Sequence, residues 1–149
     1  MMTKAKVVLA TGAFDLLHYG HYRFLEEAKK SGGRNSKLIV IIARDKTIKK
    51  RKGKRPILPE DQRRALVEAL KPVDQAILGY ERMNIEAVLR KIKPDVIAVG
   101  YDQRDIRKSV EEILQKGGFR VKIVQIGRFG SADLNSSSKI KRRVIEGWR

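Results

Sequence analysis

Both histidines of this 149-residue chain lie in the segment TGAFDLLHYGH, which runs from Thr11 to His21. His18 and His21 are three residues apart, so on a helix they share one face and can contact the same ligand. The segment follows an apolar run and precedes a helical pattern, which places the pair at a strand-to-helix turn. A helix N-terminus offers unpaired N–H groups and a partial positive charge. The spacing therefore predicts a phosphate site.

Two other interpretations of the histidine pair are open. With Asp15 the pair would form a metal site, but the chain has no third histidine and no cysteine to complete a common ligand set. A purely structural pair is the second alternative, because glycine and aspartate after a strand are ordinary turn residues. The phosphate site is favoured over both, and no protein metal site is predicted.

The glycines of this segment do not form a known phosphate loop, since neither G-x-x-x-x-G-K-[ST] nor G-x-G-x-x-G is present. The segment resembles the signature T-G-x-F-D-x-x-H-x-G-H of the cytidylyltransferase-like nucleotidyltransferases. The resemblance implies that His18 and His21 are catalytic. It also implies that the nucleotide is bound by Thr11, Gly12, Ala13, Phe14, Asp15 and Gly20.

A strongly basic segment, from Arg44 to Arg55, follows the apolar run LIVIIA and carries eight lysines and arginines against one acid. Taken alone, such a run indicates a solvated loop or a nucleic-acid patch. Its position after a strand puts it at the same edge as the histidines. With Gly53 in it, we expect a mobile flap that folds over a triphosphate.

The resemblance assigns phosphate contacts to this basic segment and to the helix after it. An E-x-x-R helix start contributes an arginine in the family, and Glu60 and Arg63 match that pattern. Which lysine or arginine of the segment reaches the triphosphate stays open among Lys50, Arg51, Lys52 and Lys54.

Three serines, Ser136, Ser137 and Ser138, precede a helical pattern that includes Ile140. Such a run alone indicates a helix N-cap or a linker. The family carries an I-S-S/T-T/S-x-I motif here that binds the triphosphate, although Asn135 stands in place of its first isoleucine. The resemblance therefore implies a second phosphate-binding helix N-terminus, and Arg128 is expected to join it.

The segment VGYDQ is expected to hold the base of the nucleotide. Gly100 allows close approach of a ligand, and Asp102 can accept a hydrogen bond from an exocyclic amine. A plain surface turn is the alternative. The sequences KPVDQAILGY and KPDVIAVGY resemble each other, and each predicts a turn, a buried strand and a Gly-Tyr pair at its carboxyl end.

Five apolar runs alternate with helical patterns and must position these residues. The runs are Val7–Ala10, Leu38–Ala43, Ala76–Leu78, Val96–Val99 and Val121–Ile126. Strands that alternate with helices predict an α/β fold, a Rossmann-like open parallel five-stranded sheet with helices on both faces. No linker interrupts the pattern, so residues 1–149 are interpreted as a single nucleotidyltransferase domain.

The composition restricts the class of protein. The chain has 34 lysines and arginines against 17 acids, a formal net charge of +17, which attracts polyanions and phosphorylated metabolites. The absence of cysteine excludes disulfides and favours a cytoplasmic protein. No run approaches the ~20 apolar residues of a membrane span, so no membrane partner is expected.

Beyond the motifs, most of the chain is similar to the archaeal FAD synthase family. This resemblance implies transfer of AMP from ATP, or of the corresponding group from CTP, to FMN, with Mg²⁺ or another divalent cation carried on the nucleotide. A glycerol-3-phosphate-type cytidylyltransferase shares the motifs and is the alternative. A basic nucleic-acid-binding domain is disfavoured by the 6% aromatic content. The sequence leaves open whether two copies of the chain form a homodimer through Phe129 and Trp148.

Overall fold

The computed structural model of the protein describes residues 4–80, 84–127 and 136–147. Strands and helices alternate along these ranges. The strands are β1 (Val7–Gly12), β2 (Lys37–Ile42), β3 (Gln75–Leu78), β4 (Val96–Gly100) and β5 (Lys122–Ile126). The helices are α1 (Tyr19–Ser31), α2 (Asp45–Lys52), α3 (Glu60–Glu68), α4 (Ile85–Ile92), α5 (Arg104–Gln115) and α6 (Ser137–Gly147).

The five strands are all parallel and form one sheet in the order β3-β2-β1-β4-β5. The chain moves outward from β1 to β3 and then crosses to β4, on the other side of β1. Open α/β sheets bind ligands where the direction of winding reverses, above the carboxyl ends of the strands. That point lies between β1 and β4, and the predicted Rossmann-like open sheet is confirmed.

Helices cover both faces of the sheet, because the buried strands present apolar side chains alternately to each face. One core cluster joins α1 and α3 to the sheet, and its members include Val8, Leu25, Ala28, Val40 and Val67. The other joins α4 and α5 to the opposite face, and its members include Leu9, Val88, Leu89, Ile97 and Val110. Every residue of β2 after Lys37 is buried, which explains its uninterrupted apolar sequence.

The basic segment is a helix rather than the predicted mobile loop, so that expectation was wrong. Residues Asp45–Lys52 form α2, whose single buried residue is Ile48. Because only one side chain is buried, the sequence of α2 has no apolar periodicity that would predict a helix. Gly53 ends the helix in the left-handed conformation, with φ of 74°, and its N–H donates to the Lys49 carbonyl at 2.7 Å. The basic side chains are therefore held on a folded element.

Among the described residues, none of the helices combines the length and apolar character that crossing a membrane requires.

Candidate nucleotide-binding site

His18 and His21 close the first turn of α1 by capping each other. His18 is the N-cap residue, and its Nδ1 accepts a hydrogen bond from the backbone N–H of His21 at 3.4 Å. The Nδ1 of His21 accepts in return from the N–H of His18 at 3.3 Å. A neutral imidazole carries one proton. Because both Nδ1 atoms act as acceptors, each ring carries its proton on Nε2.

The two rings are stacked, with centroids 3.8 Å apart and planes 24° from parallel. The pKa of His21 is lowered from 6.5 to about 3, mainly by burial. The charges of His18 and Lys52 also lower the pKa, and together they outweigh the Asp15 carboxylate, which raises it. Burial also lowers the pKa of His18. Both rings are therefore neutral near pH 7, and each can donate a hydrogen bond through Nε2.

This depressed pKa predicts a loss of stability in mild acid. Between about pH 6.5 and pH 3 the unfolded His21 binds a proton that the folded residue does not, so the free energy of unfolding falls as the pH falls. Chemical denaturation should show about 2 kcal/mol of this loss between about pH 7 and pH 4.5. His21→Gln, which can still accept the cap hydrogen bond, should show a shallower pH dependence. Equal slopes in the two proteins would contradict the assignment.

The residues before the histidines form a buried support for them. Phe14 is 4% exposed, and its ring meets the His21 ring edge-on with centroids 5.3 Å apart. A Cβ on Gly12 would lie 2.7 Å from the Phe14 ring, so only glycine fits there. Phe14 itself has φ of 54°, which turns the chain sharply after β1. Phe14 thus supports the His21 ring from the protein interior and does not face a ligand.

Asp15 points into the protein and organises the site. Its carboxylate accepts the backbone N–H groups of Ile57 at 2.8 Å and Leu58 at 2.9 Å, and it pairs with Lys141 Nζ at 3.2 Å. Burial alone would raise its pKa, but these three partners outweigh burial and hold the pKa below its usual value. Asp15 therefore joins the loop before α3 and the helix α6 to the histidine turn.

The N-terminus of α6 lies against this same aspartate. Ser137 donates a hydrogen bond from Oγ to the Asp15 carbonyl, and Lys141 of the next turn pairs with the Asp15 side chain. Ser136 acts as the N-cap, because its Oγ accepts from the N–H of Lys139 at 3.2 Å. Ser138 is exposed. The N-terminus of α6 thus lies against Asp15, which is three residues before the N-cap residue of α1.

Arg63 does not face a ligand, contrary to the expectation from the sequence. Its side chain has no exposed surface. Its Nε donates to the Leu58 carbonyl, its Nη1 to the carbonyls of Ala13 and Ala43, and its Nη2 to Asp45 Oδ1, at 2.6 to 2.9 Å. Carbonyls of three loops surround this position, and they consume the donors that a phosphate would need. Arg63 therefore ties the histidine turn to the N-terminus of α2.

The N-termini of α2 and α3 cap each other around this arginine. The N–H of Asp45 donates to the Glu60 carboxylate at 3.1 Å, and the N–H of Glu60 donates back to Asp45 at 3.4 Å. Arg44 pairs with Glu60 at 3.2 Å. At the other end of α2, the positive charge of Lys52 contributes to the low pKa of His21. Of the four basic candidates, Lys52 is close enough to His21 for its charge to lower the pKa of that ring. Lys50, Arg51 and Lys54 are exposed, as Lys52 is.

The turn after β4 lies on the other side of the histidine strand. Gln103 bridges the two strands: its Oε1 accepts from the N–H of Gly100 at 2.8 Å, and its Nε2 donates to the Thr11 carbonyl at 2.8 Å. Asp102 is exposed, and a Cβ on Gly100 would lie 3.0 Å from its carboxylate. This bridge joins the carboxyl ends of β1 and β4.

The structure thus brings the histidine turn, the serine helix and the VGYDQ turn to one edge of the sheet. Arg128, Phe129, Asn135 and Trp148 lie outside the described residues, so their expected roles stay predictions. No local pattern signals the contact of Gln103 with Thr11 or that of Lys141 with Asp15, because these partners are far apart in the chain.

The comparisons with known proteins agree with this arrangement. The family model described as cytidylyltransferase-like matches residues 9–143, from β1 into α6. A protein named FAD synthase from Methanopyrus kandleri is 46% identical over 97% of this chain and 95% of its own length. Another of that name from Ferroglobus placidus is 51% identical over 94% of this chain and 88% of its own.

Solved structures show the same fold. The crystal structure described as a lipopolysaccharide core biosynthesis protein from Thermoplasma volcanium is 42% identical, with a TM-score of 0.76, and covers 85% of this chain and 100% of its own. A pantoate-beta-alanine ligase from Francisella tularensis, 15% identical with a TM-score of 0.67 over 95% of this chain and 67% of its own, shares the fold alone. The chain belongs to the cytidylyltransferase-like family, and within it to the group whose curated members are named FAD synthase.

Proposed function

We propose that this protein is an FAD synthase, which transfers the AMP group of ATP to FMN and releases pyrophosphate. The observation that carries the proposal is the N-terminus of α6 held against the histidine turn through Asp15, beside two neutral histidines that can donate from Nε2. Such an arrangement suits the phosphates of a nucleoside triphosphate. The choice of FMN as the acceptor rests on the relatives named FAD synthase.

The reaction exchanges one bond at phosphorus for another. An oxygen of the FMN phosphate attacks the α-phosphorus of ATP and forms a new P–O bond. The bond between that phosphorus and the oxygen bridging to the β-phosphate breaks, and its electron pair leaves on pyrophosphate. The attacking phosphate is already an anion near pH 7, since its second pKa is about 6. No general base is needed, and the protein contributes positioning and charge stabilisation.

Each part of the site then has a role. The Nε2–H groups of His18 and His21 donate to the α-phosphate and to the bridging oxygen, where negative charge grows. The α6 N-terminus with Ser138 and the basic end of α2 hold the β- and γ-phosphates, with Lys52 the first choice among the cations. Gly100 and Asp102 receive the base. Arg63 and Asp15 hold these parts together from inside the protein.

Magnesium enters with the nucleotide in this proposal. Among residues 4–80, 84–127 and 136–147, no group of three histidine or acidic side chains is placed to hold a metal ion. The carboxylate next to the histidines, Asp15, is taken up by two backbone N–H groups and Lys141. We therefore propose that Mg²⁺ is bound through phosphate oxygens and water.

Pyrophosphate release tests the proposal directly. The purified protein is incubated with Mg²⁺, one nucleoside triphosphate at a time, and either FMN or glycerol 3-phosphate. We expect release with ATP and FMN, and FAD as the second product. Release with CTP and glycerol 3-phosphate alone would identify the alternative cytidylyltransferase. No release with either acceptor, together with RNA binding that weakens steeply with salt, would favour the nucleic-acid-binding domain.

A further inference from the structure

The two Gly-Tyr pairs of the sequence flank the phosphate site in the structure. Gly79 and Tyr80 follow β3, whereas Gly100 and Tyr101 follow β4. In the sheet order β3-β2-β1-β4-β5, these strands lie on opposite sides of the β2-β1 pair. Tyr80 is 44% exposed and Tyr101 is 39% exposed. A tyrosine ring at the edge of a ligand site offers an apolar face for stacking on a planar ring.

The backbone before Tyr80 is firmly held. The N–H of Gly79 donates to the Ile42 carbonyl at 2.9 Å, which continues the pairing of β3 with β2. The Gly79 carbonyl accepts from Arg44 Nε at 2.6 Å, and Arg44 is fixed in turn by Glu60. Tyr80 is thus presented at the end of β3 by an ordered turn, and a cation stands between it and the histidine strand.

The nucleotide already occupies one side of the histidine strand in the proposed function. The acceptor phosphate must reach the α-phosphate beside His18 and His21 without crossing the base. The predicted base site, with Gly100 and Asp102, lies beyond β1 on the β4 side. The space above β2 and β3, which Tyr80 and Arg44 border, remains for the acceptor.

The distances fit FMN. Two strand spacings separate β1 from β3, which amounts to about 10 Å. In FMN, roughly seven bonds of about 1.5 Å connect the phosphorus to the ring system, and an extended chain of this kind spans ~9 Å. With its phosphate beside His18 and His21, FMN therefore places its ring system above the end of β3.

We propose that Tyr80 stacks on the isoalloxazine ring of FMN and so selects a flat aromatic acceptor. This inference rests on the proposed function. Arg44 borders the path between ring and phosphate, where Glu60 and the Gly79 carbonyl hold its side chain in place. Tyr101, on the other side of β1, is then associated with the nucleotide rather than with the flavin.

Flavin fluorescence tests the inference without turnover, because stacking on tyrosine quenches the emission of the isoalloxazine ring. FMN is titrated into the wild-type protein, Tyr80→Leu, Tyr80→Phe and Leu66→Ala. Leu66 is a matched control, since it is 45% exposed on α3. We expect quenching in the wild type. Tyr80→Leu should weaken FMN binding about tenfold and remove most of the quenching, while the KM for ATP changes less than about twofold. Leu66→Ala should match the wild type. Tyr80→Phe should keep the affinity for FMN in isothermal titration calorimetry but lose most of the quenching, because quenching requires the readily oxidised phenol ring.

Two results would overturn the inference. If Tyr80→Leu binds and quenches FMN as the wild type does while FAD is still formed, the ring binds elsewhere and the proposed function stands. If Tyr101→Leu, and not Tyr80→Leu, weakens FMN binding, the two substrates occupy the opposite sides. A wild-type protein that neither binds FMN nor forms FAD would instead contradict the proposed function, and the inference with it.

Discussion

Replacing His18 with asparagine, or His21 with glutamine, is expected to lower kcat for FAD formation by about 10²–10³-fold, the usual cost of removing one donor aimed at developing charge. Each change removes one Nε2–H group. The new side chains are chosen because each keeps an oxygen that can accept the N–H of the other capping residue. Asparagine is a strong N-cap residue, and glutamine at the third helical position completes a capping box.

The measurement is kcat and KM for both substrates, with thermal unfolding as the control for folding. His18→Ala is the matched comparison, because it loses the cap as well as the imidazole and should cost about 1 kcal/mol of stability. If His18→Asn and His21→Gln keep kcat within about threefold of the wild type, the histidines serve the helix and not the phosphates. The structural interpretation of the pair would then be correct.

Replacing Arg63 with methionine is expected to lower the free energy of unfolding by about 3–5 kcal/mol. The change leaves the Asp45 carboxylate without its charged partner and leaves the carbonyls of Ala13, Ala43 and Leu58 without a donor. Buried acceptors that lose their partner cost more than the hydrogen bond itself contributed. Urea denaturation measures the effect.

The neighbouring arginine provides the control for this experiment. Arg64 is one residue further along α3, its side chain is 34% exposed, and it pairs with Glu68 at 3.2 Å. Arg64→Met should cost no more than about 1 kcal/mol, as exposed pairs do. Equal losses in the two variants would contradict the buried role of Arg63. If Arg63→Met raises the KM for ATP and leaves the stability unchanged, Arg63 binds the triphosphate, as the family motif implies.

The order of strands and helices was largely predictable, because each strand contains a short apolar run and helical patterns separate the runs. Helix α2 was not predictable in this way. It buries Ile48 alone, and its stability depends on its caps, including the reciprocal hydrogen bonds in which Asp45 and Glu60 each accept the backbone N–H of the other. Such partners are 15 residues apart in the chain, so no local pattern reports them.

The site was predictable as a place but only partly as a set of contacts. The spacing of His18 and His21 correctly placed both rings in one helical turn, yet histidine is not a usual cap residue and the reciprocal cap went unforeseen. Asp15 and Arg63 match a family motif, but only the folded chain shows that both turn inward. Gln103 and Lys141 meet partners 92 and 126 residues away.

The reciprocal cap of α1 couples proton binding to the geometry of the helix. A protonated imidazole has no lone pair on Nδ1, so a ring that gained a second proton would release the backbone N–H that it now accepts. Storing a proton on either ring would therefore loosen the turn that faces the phosphates. The pair is consequently a fixed source of hydrogen bonds rather than a proton relay, which suits a reaction that transfers a nucleotidyl group and needs no general base.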